Sequence, residues 1–173
     1  MRAPNPPTQA LLQYLGATPV GMPPTQVYEN VEKGVIDGAV FPWDAIKGFR
    51  LEAILKHHLD ARVYTSCFHV VMTEQRFASL PADVRKAIDD TTGAVMVNNF
   101  GALWNRWDQA GLDAVKARNN NIVSVSNEQR EKWRVQLQPV IDSQLAELEK
   151  GGIANARAIY DEMRKRIADL VKK

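Results

Sequence analysis

Cysteine is almost absent from this sequence: Cys67 stands alone among 173 residues, so no disulfide can form within the chain. A single thiol suits cytoplasmic and periplasmic proteins alike and leaves the compartment open. Long apolar runs are missing too. Ala94-Val95-Met96-Val97 is typical of those present, far short of the ~20 residues that a membrane span needs. Charge of one sign is scarce. The formal net charge is +2 from 22 basic and 20 acidic residues, too small an excess to point to nucleic acid. The basic group Arg157, Arg164, Lys165, Arg166, Lys172 and Lys173 interleaves with Asp161, Glu162 and Asp169, which reads as the solvated face of a last helix. A secretory leader is not visible either. Prolines follow Met1-Arg2-Ala3 where an apolar run would be needed, so the expectation is that a leader and more chain are missing or that the protein stays where it is made.

What is present is ordinary for a globular protein, with 45% hydrophobic and 24% charged residues. Leu11, Leu12 and Leu15 share a helical face from Pro6 to Leu15, and Gly16 is placed to end that helix. Ala17 to Met22 reads as extended, and Thr25 as the cap of a second helix that stops at Gly34. The run Ala39-Val40-Phe41 after Asp37-Gly38 reads as a buried strand. A short helix then opens at Pro42-Trp43 and runs through Phe49. Arg62 to Met72, rich in Val, Tyr, Thr and Phe, is predicted as a strand. This alternation argues for an α/β layer with a partly parallel sheet.

From Pro81 the pattern becomes helical, with Val84, Ile88, Val95, Leu103, Trp107, Ala110 and Ala114 on one face. Gly93, Gly101 and Gly111 are places where it could bend or break. Asn119-Asn120-Asn121 ends it, and Ile122 to Val125 is a small strand. Ser126 and Gln129 form a capping box before a helix expected to kink at Pro139. Gly151-Gly152 closes that helix, and a final one uses Ile159, Met163, Ile167 and Leu170. The expected domains are an α/β ligand-binding lobe over 1–125, with a long bracing helix, and a helical segment over 126–173. Because Arg2 and Pro4 stand at the very start, no room is expected for a strand before the first helix.

Several constellations could carry chemistry. His57-His58 with Asp60 raises the question of a metal, but neighbouring ligands diverge on either a strand or a helix, and no H-x-x-x-H or C-x-x-C completes a chelate. A histidine lining a pocket is the preferred reading. Cys67 and His69, two apart on the predicted strand, share a face as a thiol and base would. The alternative, a small buried thiol beside an imidazole, is preferred because no oxyanion-hole or nucleophile motif accompanies them. Trp104, Trp107 and Trp133 at helical spacing read as core or interface. Trp43 differs, because it follows a predicted strand end, where open α/β sheets place ligands. Arg2 offers the planar donor fork that fits a carboxylate.

Taken together, Arg2-Ala3-Pro4, Leu15-Gly16-Ala17-Thr18-Pro19-Val20-Gly21-Met22-Pro23, Gln26-Val27-Tyr28 and Gly34-Val35-Ile36-Asp37-Gly38 resemble the solute-binding proteins of TRAP transporters, the DctP-type family. Ser79-Leu80-Pro81-Ala82-Asp83-Val84-Arg85 is similar to that family's later helix start. The resemblance covers nearly the whole chain but only the family's second half. It implies a periplasmic binding protein-like lobe with long C-terminal helices, without the N-terminal lobe. It further implies a periplasmic receptor, not an enzyme, with no cofactor, that captures an organic acid and delivers it to membrane permease subunits. The carboxylate would be held by Arg2.

The chain departs from the family pattern at Phe41, where many members carry a polar residue that could hydrogen-bond a hydroxyl or keto group. A ligand with an aromatic or apolar body is therefore expected, with Phe41 and Trp43 stacking on it, His58 at its polar end, and Met22 and Pro24 completing the wall. Phe41 also has a second reading, as a core residue of its strand. Two rival functions remain: a hydrolase built on Cys67, His69 and His58, and a truncated fragment that self-associates as a homo-oligomer through unburied surface.

Overall fold

The computed structural model describes residues 1–65 and 67–171. The chain divides into two compact units, one made of Met1–Met22 with Val125–Lys173 and the other of Pro23–Ser124.

The first unit opens with a strand–helix–strand. β1 (Arg2–Ala3) pairs in parallel with β2 (Val20–Gly21), Arg2 opposite Val20 and Ala3 opposite Gly21, and α1 (Pro6–Tyr14) makes the crossover. A strand before the first helix thus exists, contrary to expectation. Two residues suffice because the Met1 carbonyl accepts from Val20 N–H and the Met1 ammonium donates to Thr18 O at 2.9 Å. The sequence explains α1. Asn5 caps it through Oδ1, which accepts from Thr8 N–H at 3.0 Å, and prolines occupy its first turn, where no N–H partner is lost. Gly16, at φ +81°, ends it in a left-handed conformation.

The C-terminal helices of this unit are α7 (Asn127–Gln136), α8 (Gln138–Lys150) and α9 (Ala156–Val171). Ser126 Oγ accepts from Gln129 N–H at 3.1 Å, as the capping pattern predicts. Pro139 falls in the first turn of α8, so the expected kink is a break between two helices. Tyr14 Oη donates to Gln136 O at 3.1 Å, tying α1 to the end of α7. On α9, Ile159, Met163, Ile167 and Leu170 are all exposed, and a shallow groove beside them is lined by Asn155, Ala158, Glu162 and Arg166. The arginines of this helix are solvated; Lys172 and Lys173 lie outside the described residues.

In the second unit a three-residue 3-10 turn (Pro24–Gln26) leads into α2 (Val27–Glu32). Thr25 lies inside that turn and does not cap α2. Next come α3 (Trp43–Gly48), β3 (His57–Asp60), α4 (Glu74–Ala78), α5 (Ala82–Thr91), α6 (Ala94–Ala117) and β4 (Asn121–Ser124). β3 and β4 pair in parallel, His57 opposite Asn121 and Asp60 opposite Ser124. The long helical pattern breaks only at Gly93, where φ is +61°, and runs unbroken through Gly101 and Gly111. Leu51, Val27 and Val115 are the largest side chains fully withdrawn from solvent.

Two predicted strands do not form. Ala39-Val40-Phe41 contributes only an isolated bridge residue at Ala39. From 62 to 72 none of the described residues is in a strand, and Ser66 lies outside them. Residue preference for a pleated, half-buried surface cannot make a strand without a neighbour to pair with. In addition, Arg62 takes φ +54° and breaks the extended run at its start, while Val70 is 86% exposed.

Leu51→Ala, at a side chain with no exposed surface, is expected to cost about 2–5 kcal/mol in urea unfolding, whereas Val70→Ala should stay within about 0.5 kcal/mol. Equal effects would contradict this placement of the core.

Candidate functional site

Arg2 belongs to the first unit. It lies on β1, is only 5% exposed, and its Nε donates to Met22 O at 3.3 Å. Removing a guanidinium from water costs several kcal/mol unless partners satisfy it, and the Met22 carbonyl is one such partner. Met22 contributes here through its backbone carbonyl, just beyond β2, not through the side chain that the sequence suggested as a wall. A Cβ at Gly21 would meet only the end of the flexible Gln9 side chain, 2.7 Å from its Nε2.

Phe41, Trp43 and His58 belong to the second unit, as does Pro24, which is half-buried in its 3-10 turn. The Phe41 ring packs on Phe49 with centroids 5.9 Å apart, and Trp43 lies against His58 at 5.8 Å and 38°. Phe41 is half-buried and no strand contains it, so its strand-core reading is set aside. Trp43 is the first residue of α3. His58 is on β3 and only 9% exposed, while its neighbour His57 points to the exposed side of the strand.

A polar network that the sequence did not announce holds His58 in place. His58 Nε2 lies 3.2 Å from Leu55 O. A carbonyl only accepts, so this bond requires the proton on Nε2. Asn120 Nδ2 donates to Glu52 O at 2.8 Å and to Leu55 O at 2.9 Å. Both amide hydrogens are thereby used, and its 3.5 Å approach to His58 Nε2 is contact alone. Arg118 Nε stands 3.7 Å from Glu52 Oε1. The sequence marks Asn119-Asn120-Asn121 only as a helix end; Asn119, at φ +54°, takes the left-handed conformation that asparagine tolerates there, and the role of Asn120 in this network has no local signal.

The remaining candidates fall apart as a site. Cys67 is exposed, not the buried thiol that was expected, and His69 is exposed as well. With no strand at 67–69, nothing places the two on a shared face. Phe68 instead stacks on Trp104 at 5.4 Å, and Phe100 and Trp107 complete that aromatic group along α6. Among the described residues no group of three or more His, Cys, Asp and Glu could hold a metal ion, and no helix is long and apolar enough to cross a membrane.

Burial holds the His58 imidazole below its ordinary pKa of 6.5; the bond to Leu55 O opposes this, and the charge of His57 adds to it. The unfolded chain therefore binds a proton at a pH where the folded one does not. The stability that neutral His58 supports is complete above the ordinary value and declines as pH falls through it toward the depressed one. Urea unfolding at about pH 7.5 and about pH 5.5 should show a steeper loss for the unaltered protein than for His58→Gln. Parallel losses would contradict a buried neutral imidazole.

Residues 1–148 match the family described as bacterial extracellular solute-binding protein, family 7 (DctP). The C4-dicarboxylate-binding periplasmic protein DctP of Rhodobacter capsulatus is 25% identical over 155 residues, which are 89% of this chain and 46% of that protein. A TRAP solute-binding protein from Rhodoferax ferrireducens, crystallised in complex with copurified benzoate, is 27% identical with a TM-score of 0.81, covering 96% of this chain and 55% of its own. A marine-metagenome TRAP solute-binding protein, specific for aromatic acid ligands and co-crystallised with 3-hydroxybenzoate, is 25% identical with a TM-score of 0.76, covering 91% of this chain and 50% of its own. The chain spans about half the length of these relatives. The match over most of its residues, with a buried arginine on the first strand and parallel β-pairs under long helices, places this chain in the DctP family of TRAP solute-binding proteins.

Proposed function

We propose that the chain serves as the ligand-binding portion of a periplasmic receptor for a TRAP-type transporter, capturing an organic carboxylate with an aromatic or apolar body. The observation that carries this reading is Arg2, a buried guanidinium fixed on β1 with its Nε on Met22 O. Its planar fork matches a carboxylate, and such a charge-assisted pair contributes about 1.5–3 kcal/mol. In the second unit, Phe41 and Trp43 offer ring faces for the ligand body; the His58 imidazole lies against Trp43 with its Nε2–H engaged by Leu55 O, and Met22 and Pro24 are the remaining wall candidates. Two relatives with benzoate and 3-hydroxybenzoate in their structures support an aromatic acid. A phenyl ring at Phe41 leaves a ligand hydroxyl unpaired, which disfavours a densely hydroxylated sugar acid.

Nothing is transformed in this function. Binding alone selects the cargo, and the loaded receptor hands it to membrane permease subunits. Cys67 and His69, exposed and without a supporting base or oxyanion donors on a shared element, do not support a hydrolase.

Calorimetry with benzoate tests the anchor. Arg2→Ala should weaken binding about tenfold to a hundredfold, and Arg2→Lys, which keeps the charge but loses the fork, should weaken it by a smaller factor. Retained affinity in Arg2→Ala would overturn the assignment. Phe41→Asn should shift preference from benzoate toward a hydroxylated acid such as glucuronate, by about tenfold in the ratio of the two affinities.

A further inference from the structure

Helix α3, which carries Trp43, begins in an unusual way. Its N-cap is Pro42, which has no side-chain oxygen, so the first turn receives no local cap. The donor at the second helical position, Asp44 N–H, is satisfied from another helix: it donates to Asp108 Oδ1 on α6 at 2.9 Å. Three residues further along α6, on the same face, stands Gly111. A Cβ there would lie 1.9 Å from Trp43 O and 2.5 Å from Trp43 C, so the backbone of Trp43 itself rests on the glycine. Val115, four residues on, is fully buried beneath the same contact face. The glycine meets the backbone of the residue whose indole lies against His58, and the carboxylate holds the residue next to it.

We infer that Asp108 and Gly111 are positioning residues for Trp43: the carboxylate caps α3 from α6, the glycine lets the two backbones touch, and together they set the indole against His58. Both act through the start of α3 that carries Trp43. The consequence for ligand choice rests on the proposed function above, in which Trp43 meets the body of an aromatic acid.

The electrostatics of the pair favour a capping role over a simple charge. Asp44 and Asp108 are like charges side by side, and the Asp44 carboxyl is held above its ordinary range chiefly by burial, with the Ala45 backbone N–H opposing this and the Asp108 charge adding to it. Asp44 Oδ1 is buried and makes no hydrogen bond. A second carboxylate beside it is unfavourable as a charge, so what recommends Asp108 here is its acceptor oxygen. Asparagine has the same oxygen without the charge and should serve equally well.

The test compares Asp108→Ala, Asp108→Asn, Gly111→Ala and Trp43→Leu with the unaltered protein, after circular dichroism has shown that each is folded. Two readouts are used. The first needs no ligand: the His58 Hε1 and Hδ2 resonances, which the Trp43 ring current shifts, together with amide exchange at Asp44 and Ala45. The second is the ratio of affinities for benzoate and cyclohexanecarboxylate, which share a carboxylate and a six-membered ring but differ in aromaticity. Asp108→Ala and Gly111→Ala should move the His58 resonances toward their positions in Trp43→Leu, speed exchange at Asp44, and reduce the benzoate preference about threefold to tenfold. Asp108→Asn should leave all of these near their original values. Unchanged His58 resonances and exchange in both Asp108→Ala and Gly111→Ala would overturn the inference, whatever happens to binding. Loss in Asp108→Asn equal to that in Asp108→Ala would overturn the capping role. If the resonances move as expected while even Trp43→Leu keeps the benzoate preference, positioning stands, and the place of Trp43 in the ligand wall is what fails.

Discussion

Two main chains touch where α3 begins on α6, and the rest of the second unit is arranged around that contact. Backbone atoms cannot retreat as a flexible side chain can, so residue 111 has to be glycine for the approach to exist. A glycine inside a helix costs about 1 kcal/mol relative to alanine, and α6 tolerates it without a break. From this contact follow the entry of α3, the tilt of Trp43 and its packing on His58. His58 in turn sits on β3, whose pairing with β4 is fixed by the Asn120 amide on Glu52 and Leu55. A chain of placements thus runs from one missing side chain to an aromatic face.

The first unit solves a different problem, that of keeping a charge out of water. Arg2 is held by a strand only two residues long, so its orientation depends on register more than on strand length. Pairing with Val20–Gly21 brings the Met22 carbonyl to Nε, which occupies one edge of the guanidinium and orients its plane. A receptor that must choose among organic acids gains from such a fixed fork, because a preorganised donor loses little entropy on meeting a carboxylate.

Local chemistry made much of the secondary structure legible. The helix end at Gly16 and the Ser126 cap each act within four residues of where they stand, and each was readable for that reason. The failures share a cause of another kind. Residues 62–72 have strand composition, yet a ladder needs a partner from elsewhere, and the strand that does form, His57–Asp60, contains two histidines and an aspartate. Cys67 was expected inside because free thiols usually are, and it lies outside because the segment bearing it pairs with nothing in a strand.

The candidate site divides along the same line. Sequence order and spacing alone carried the resemblance to the family that the match over residues 1–148 shows, and they put forward Arg2, Phe41 and Trp43 as candidates, because these are properties of residue type at fixed intervals. Tertiary structure alone decided that Arg2 is buried, that His58 keeps a neutral ring under Trp43, that Met22 acts through its carbonyl, and that Asp108 and Gly111 stand beneath α3. Asp44 and Asp108 are 64 residues apart, and no local pattern records which distant donor a carboxylate will meet. Burial and cross-helix capping are relations between segments, and they come into being only when the segments pack.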